Sequence, residues 1–119
     1  MTIERYDVLQ GPGRPHISLG LAHENWVTAC STAKDCSGDV KSQAQQILNW
    51  IETVLHRAGT DKSKLLTAMI WLRNMQDYGA FNAVWNAWVD PANPPVRACV
   101  RADLARPDVL IEIKITAAR

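Results

Sequence analysis

Arg97, Cys99 and Glu112 stand among residues that otherwise form apolar strands, in the stretch PPVRACVRADLARPDVLIEI covering residues 94 to 113. Arginine carries a planar fork of N–H donors matched to a carboxylate, and glutamate can orient or deprotonate a water beside it. Together they would make a pocket for a small anion. The same side chains could instead pair with one another, or with Lys114 and Arg101, on a wetted sheet face, and exposed ion pairs of that kind are common and weak. Residue pattern alone favours that plainer arrangement. Cys99 has no His or Asp at an activating spacing and reads as a small packing residue rather than a nucleophile.

Side chains alternate across a strand, so the elements carrying these residues decide where they point. Along Val96 to Ala102, the set Val96, Ala98 and Val100 points one way and the set Arg97, Cys99 and Arg101 the other. In a final strand from Val109 to Thr116, the apolar set Val109, Ile111, Ile113 and Ile115 is expected to pack on helices, leaving Leu110, Glu112 and Lys114 opposite. Both strands are thus expected to turn their polar residues away from the helices. The guanidinium and the carboxylate would then share one sheet face.

Upstream, Ile3 to Val8 alternates weakly, as an edge strand does, and stops at GPGRP, residues 11 to 15. Ile17 to Ala22 and Trp26 to Cys30 read as a hairpin turning at HEN, residues 23 to 25. Asp39 is the expected N-cap of a helix whose apolar stripe is Val40, Ala44, Ile47, Leu48, Ile51, Leu55 and Ala58, with Gly59 as its stop. Leu65 to Leu72 has the length of a buried strand, and a second helix follows over 76 to 89, with Phe81, Val84, Trp85 and Trp88 on one face. DPANPP, residues 90 to 95, breaks it. The order β-β-β-α-β-α-β-β predicts one α+β domain over residues 1 to 119, a two-layer sandwich with two helices on one face of a mostly antiparallel sheet. The uncovered face would expose apolar and aromatic side chains, which points to an oligomer.

Composition narrows the partners. The net charge of +1, with no run among 13 Lys and Arg, lacks the basic surface that nucleic acid requires. The first residues, MTIERYDV, are charged and unlike a secretory signal, and no stretch approaches the ~20 apolar residues of a membrane helix. Three cysteines, Cys30, Cys36 and Cys99, form no CxxC pair and have no histidine at zinc spacing, so free thiols in a reducing cytosol are expected. Five tryptophans in 119 residues suggest packing beyond one small core, such as a subunit contact.

The ordered signature P-V-R-A-C-V, then Leu104, then I-E-I at 111 to 113 resembles the C-terminal end of the YjgF/RidA family. The resemblance extends through LNWIETVLHRAG and YGAFNAVWNAWV to nearly the whole chain. It implies a chorismate-mutase-like fold, a homotrimer with clefts between subunits, and, in the best-known branch, hydrolysis of reactive enamine and imine acids to keto acids and ammonia without a metal or organic cofactor. Carried onto this chain, it implies that Arg97 binds the substrate carboxylate, that the backbone at Cys99 lines the cleft, and that Glu112 positions the attacking water. A ribonuclease or translation-inhibitor role, claimed for some relatives, finds no support in charge or motif here.

Four positions depart from the deaminase branch. Arg14-Pro15-His16 stands where that branch has Gly-Pro-Tyr, and Thr28-Ala29-Cys30 where it has Thr-Ser-Gly. His16 is either a replacement proton donor or a loop histidine without a role. Ala29 and Cys30 fall at substrate-side positions, with packing preferred for Cys30. The chain thus looks like a divergent subgroup. One reading is an imine deaminase; the alternative is a member that binds or senses a small carboxylate without turnover.

Overall fold

A computed structural model describes residues 2–119. The chain folds as β1 (Ile3–Leu9), β2 (Ile17–His23), β3 (Trp26–Ser31), α1 (Val40–Arg57), β4 (Leu65–Leu72), α2 (Tyr78–Trp88), β5 (Val96–Arg101) and β6 (Ile111–Ala118). The expected two-layer α+β sandwich is present: both helices lie on one face of a six-stranded sheet in the order β1-β2-β3-β6-β4-β5. Every neighbouring pair is antiparallel except β4 and β5, which run parallel because α2 carries the chain back across the sheet between them.

The apolar stripe read along α1 becomes its buried side, from Val40 through Ala44, Ile47, Leu48 and Ile51 to Leu55. Asp39 caps it, accepting a hydrogen bond from the Ser42 amide, and Gly59 takes the left-handed backbone (φ +81°) that ends it. The stripe packs on Ile111, Ile113, Ile115 and Ala117 of β6 and Ile70 and Leu72 of β4, all inaccessible to solvent. Each such aliphatic side chain contributes roughly 1.5–3 kcal/mol by leaving water. On α2, Phe81, Trp85 and Trp88 complete the core as a tilted stack with ring centroids 6.1 and 5.6 Å apart.

Two elements start later than expected, and several strand ends differ by one or two residues. The last strand begins at Ile111 rather than Val109, because side chains occupy the backbone of Val109 and Leu110. Arg73 Nε donates to the Val109 carbonyl (2.9 Å), and the Leu110 amide donates to Gln43 Oε1 (3.0 Å). The second helix begins at Tyr78, preceded by a 3₁₀ turn over Met75–Asp77.

The facing of β5 is a correction. Arg97 lies beside Ala68 and Cys99 beside Ile70 in the β4–β5 register, and Ala68 and Ile70 are core residues under the helices. Residues side by side on adjacent strands point to the same face. Arg97 and Cys99 therefore point towards α2, whereas Glu112, beside Trp71, points to the open face. Alternation separates two sets of side chains without saying which set meets the helices. In β5 the apolar set is the outward one, and Val96 and Val100 are exposed beside Thr67 and Trp71. Trp26 and Ile3 add further exposed apolar area to the same open face.

Candidate functional site

α2 builds a cradle for Arg97. Tyr78, Phe81, Asn82 and Trp85 fall at the i, i+3, i+4, i+7 spacing of one helix side, and β5 lays Arg97 along that side. The guanidinium carbon lies 5.4 Å from the Phe81 ring centroid, 5.5 Å from Trp85 and 5.8 Å from Tyr78. Nη2 donates to Asn82 Oδ1 at 2.9 Å and to the Tyr78 hydroxyl at 3.3 Å. Aromatic faces and neutral oxygens hold this cation. Among the described residues its guanidinium makes no ion pair with a carboxylate. A held guanidinium without a counterion is suited to receive an anion. Cys99, two residues along the same face, is half-buried against the core, and burial raises its thiol above the ordinary value, with the charge of Arg97 opposing.

Glu112 occupies a second locus on the open face. The Cys30 thiol donates to its Oε2 at 3.3 Å, and Lys114 lies beside Cys30 in the β3–β6 register. Burial, then the charge and hydrogen bond of Glu112, push the Cys30 thiol up to about 12. It remains a neutral donor, so one carboxylate oxygen is engaged and the other remains for a further partner. Glu112 also borders a depression of about 230 Å³ lined by Trp71, Ala102, Asp103 and Leu104. Arg73 ties down the β5–β6 connection that supplies Leu104 to this lining, its Nη2 donating to the carbonyls of Leu104 (3.2 Å) and Arg106 (2.7 Å).

The six residues expected at a site thus separate within one chain. Arg97 and Cys99 share the helix side of the β5 edge, and Glu112 and Cys30 meet on the open face. Ala29 is 1% exposed in the core, between Gly20 and Ile115, so its side chain reaches no ligand. His16 is exposed just before β2. Four strand spacings separate β2 from β5, or about 19 Å, so His16 does not meet Arg97 of its own chain. Sequence reasoning missed Tyr78 and Asn82. Their signal is the helical spacing they share with Phe81 and Trp85, two residues of the expected core face.

Comparison with known proteins follows the same lines. The sequence model of the family described as Endoribonuclease L-PSP matches residues 24–119. A RutC family protein of Haemophilus ducreyi is 40% identical over 116 residues, covering 98% of this chain and 96% of that protein. Among solved structures, an uncharacterized protein from Pseudomonas aeruginosa superposes with a TM-score of 0.89 at 34% identity, over 99% of each chain. A member of the YjgF protein family from Neisseria meningitidis gives 0.86 at 35% identity, over 100% of this chain and 96% of the other. With its C-terminal signature, its sheet order and these likenesses in agreement, the chain belongs to the L-PSP/RutC/YjgF family.

Proposed function

We propose that this chain is a hydrolase of small 2-imino and 2-enamino acids, releasing the 2-oxo acid and ammonia in clefts between the subunits of a cytosolic homotrimer. The observation that carries the reading is the cradled guanidinium of Arg97, held by Asn82 and three rings and, among the described residues, paired with no carboxylate. Its fork receives the substrate carboxylate. Water adds to the electrophilic C=N carbon while the free oxygen of Glu112 takes a proton from it. That proton passes to nitrogen to complete the neutral carbinolamine, whose hydroxyl proton then follows by way of Glu112 as the C–N bond breaks, the C=O bond forms and ammonia leaves. An activated C=N carbon needs little beyond orientation and modest base help, which Arg97 of one copy and Glu112 of a neighbouring copy would supply. The exposed Val96 and Val100 on the edge strand, with Trp26 and Ile3 on the same face, give a second copy an apolar surface to cover. The three free thiols fit a reducing compartment.

One observation favours a second reading, a family member that binds a small carboxylate without turnover. Ala29 is buried and His16 is remote from Arg97 within the chain, so neither supplies a proton donor beside the cradle.

The test is ammonia release from freshly generated 2-iminopropanoate by wild type and Arg97→Ala. Turnover in wild type that disappears in a folded Arg97→Ala supports hydrolysis. A rise in melting temperature with pyruvate, without turnover, supports the binding reading. Wild-type rates in Arg97→Ala overturn the role of Arg97.

A further inference from the structure

We infer that Tyr78 is a substrate-binding and specificity-determining residue, its hydroxyl acting with Arg97 as a second donor to the ligand carboxylate. The inference rests on the anion site proposed at Arg97, but not on turnover there.

Tyr78 is the first residue of α2 and is 42% exposed, unlike Phe81 and Trp85 below it, which are buried. Its hydroxyl oxygen accepts from Arg97 Nη2 at 3.3 Å. A phenol that accepts through its lone pair still has its own O–H to donate. With the oxygen fixed on the guanidinium, that O–H lies at the rim of the cradle, where an anion bound to Arg97 would sit.

Asn82 takes the other contact of the same nitrogen at 2.9 Å, so both neutral acceptors fall on Nη2. No side-chain acceptor is recorded at Nε or Nη1 of Arg97 among the described residues. Nη2 belongs to both bidentate edges of the guanidinium, so a carboxylate arriving here takes a free N–H of Nη1 or Nε and finds its second donor in the Tyr78 hydroxyl. Donors with no carboxylate beside them suit a ligand whose only charge is its own carboxylate, as in a 2-oxo acid or a neutral 2-imino acid. A free amino acid, with a tetrahedral ammonium carbon next to its carboxylate, brings a second cation towards Arg97 and is disfavoured.

Tyr78→Phe removes the hydroxyl and keeps the ring. The probe is 2-oxobutanoate, with affinity read by calorimetry on wild type and variant, beside KM and kcat for 2-iminopropanoate. One hydrogen bond to a charged group corresponds to about tenfold in affinity. The expected result is a roughly tenfold weaker Kd and a similar rise in KM, with kcat changed less than about twofold and the melting temperature unchanged. A purely structural role would move the melting temperature and would not separate KM from kcat. Asn82→Asp is the second variant. A carboxylate at that position would pair with Arg97 and abolish 2-oxobutanoate binding in a folded protein.

The outcomes separate the two readings. Binding by wild type that weakens in Tyr78→Phe, with no ammonia released, overturns hydrolysis and supports Tyr78. Turnover in wild type with Kd and KM unchanged in Tyr78→Phe overturns Tyr78 alone. Wild type that neither binds 2-oxobutanoate nor releases ammonia overturns both.

Discussion

Arg97 and Glu112 lie on opposite faces of one sheet, with β4 between the strands that carry them. A three- or four-carbon acid resting on Arg97 does not reach the same chain's Glu112 through the sheet. If both residues serve one cleft, two copies of the chain supply them. Arg97→Ala and Glu112→Gln, each inactive alone, should then restore activity when refolded together. In randomly mixed trimers about a quarter of the clefts regain both groups, so about a quarter of wild-type activity is expected. No recovery in verified mixed trimers would mean that each chain builds its own site.

The Cys30–Glu112 contact predicts a thiol slow to ionise. In a Cys36→Ala/Cys99→Ala chain, thiolate absorbance should rise with a midpoint near 12 instead of the ordinary 9.0. The sign follows from linkage: a folded-state value raised above the unfolded one favours the folded chain fully below the unfolded value, and that contribution is lost as pH climbs towards about 12. Cys30→Ser, which keeps a donor on Glu112, should retain near-wild-type kcat, and Cys30→Ala should lower it about three- to tenfold. Equal rates in both variants would show that the contact does not position the carboxylate.

Gln43 is fully buried in the first turn of α1 and connects two loops. Its Nε2 donates to the carbonyls of Asp108 (3.0 Å), Cys36 (3.3 Å) and Gly38 (3.3 Å), while Oε1 accepts from the Leu110 amide (3.0 Å). Gln43→Ala leaves these groups unpaired in the interior and should lower stability by about 2 kcal/mol or more in urea unfolding. Gln43→Glu should cost still more at neutral pH, since a carboxylate there faces three carbonyls. A loss in Gln43→Ala below the scatter of the measurement would mean that water replaces the clamp.

Asp7 holds the edge strand β1 to α1 from a left-handed backbone (φ +53°). The Trp50 indole N–H donates to its carboxylate at 2.8 Å and Arg57 at 3.1 Å. The Trp50 hydrogen bond first, then Arg57, hold the Asp7 carboxyl below its ordinary 3.8, against the effect of burial. This contribution to stability is present above pH 3.8 and is lost as pH falls through the lower folded-state value. Asparagine tolerates the backbone and keeps an acceptor, so Asp7→Asn isolates the charge. The pair is exposed and screened, so the expected loss at neutral pH is below about 1 kcal/mol. The acid side of the stability curve should flatten in the variant, and an unchanged acid limb would remove Asp7 from the account.

Much of the architecture was legible from periodicity. The stripe from Val40 to Leu55, the run Leu65 to Leu72 and the alternation through Ile111, Ile113 and Ile115 are statements about burial, and burial decides which residues recur. The facing of β5 was not legible. Val96, Ala98 and Val100 are as apolar as a core face, yet they lie on the side left open in a single chain. Hydrophobicity does not distinguish a surface buried by folding from one that a second copy would bury. For the same reason the partners of Arg97 were hidden. They sit on a helix that precedes it by 12 to 19 residues and meet it only through the parallel β4–β5 crossover. The start of β6 was missed because Gln43 and Arg73, far apart in sequence, take up the backbone groups of Leu110 and Val109.

The aromatic side of α2 serves the core and the Arg97 cradle at once. Phe81 and Trp85 cannot be exchanged to admit a different ligand without opening a void beneath the sheet, which costs about 3–5 kcal/mol for an aromatic reduced to alanine. Tyr78, at the exposed first turn, is free of that coupling. A change in ligand preference at this anion site would therefore cost the fold least at the helix N-terminus, while substitutions deeper along the same side alter binding and core packing together.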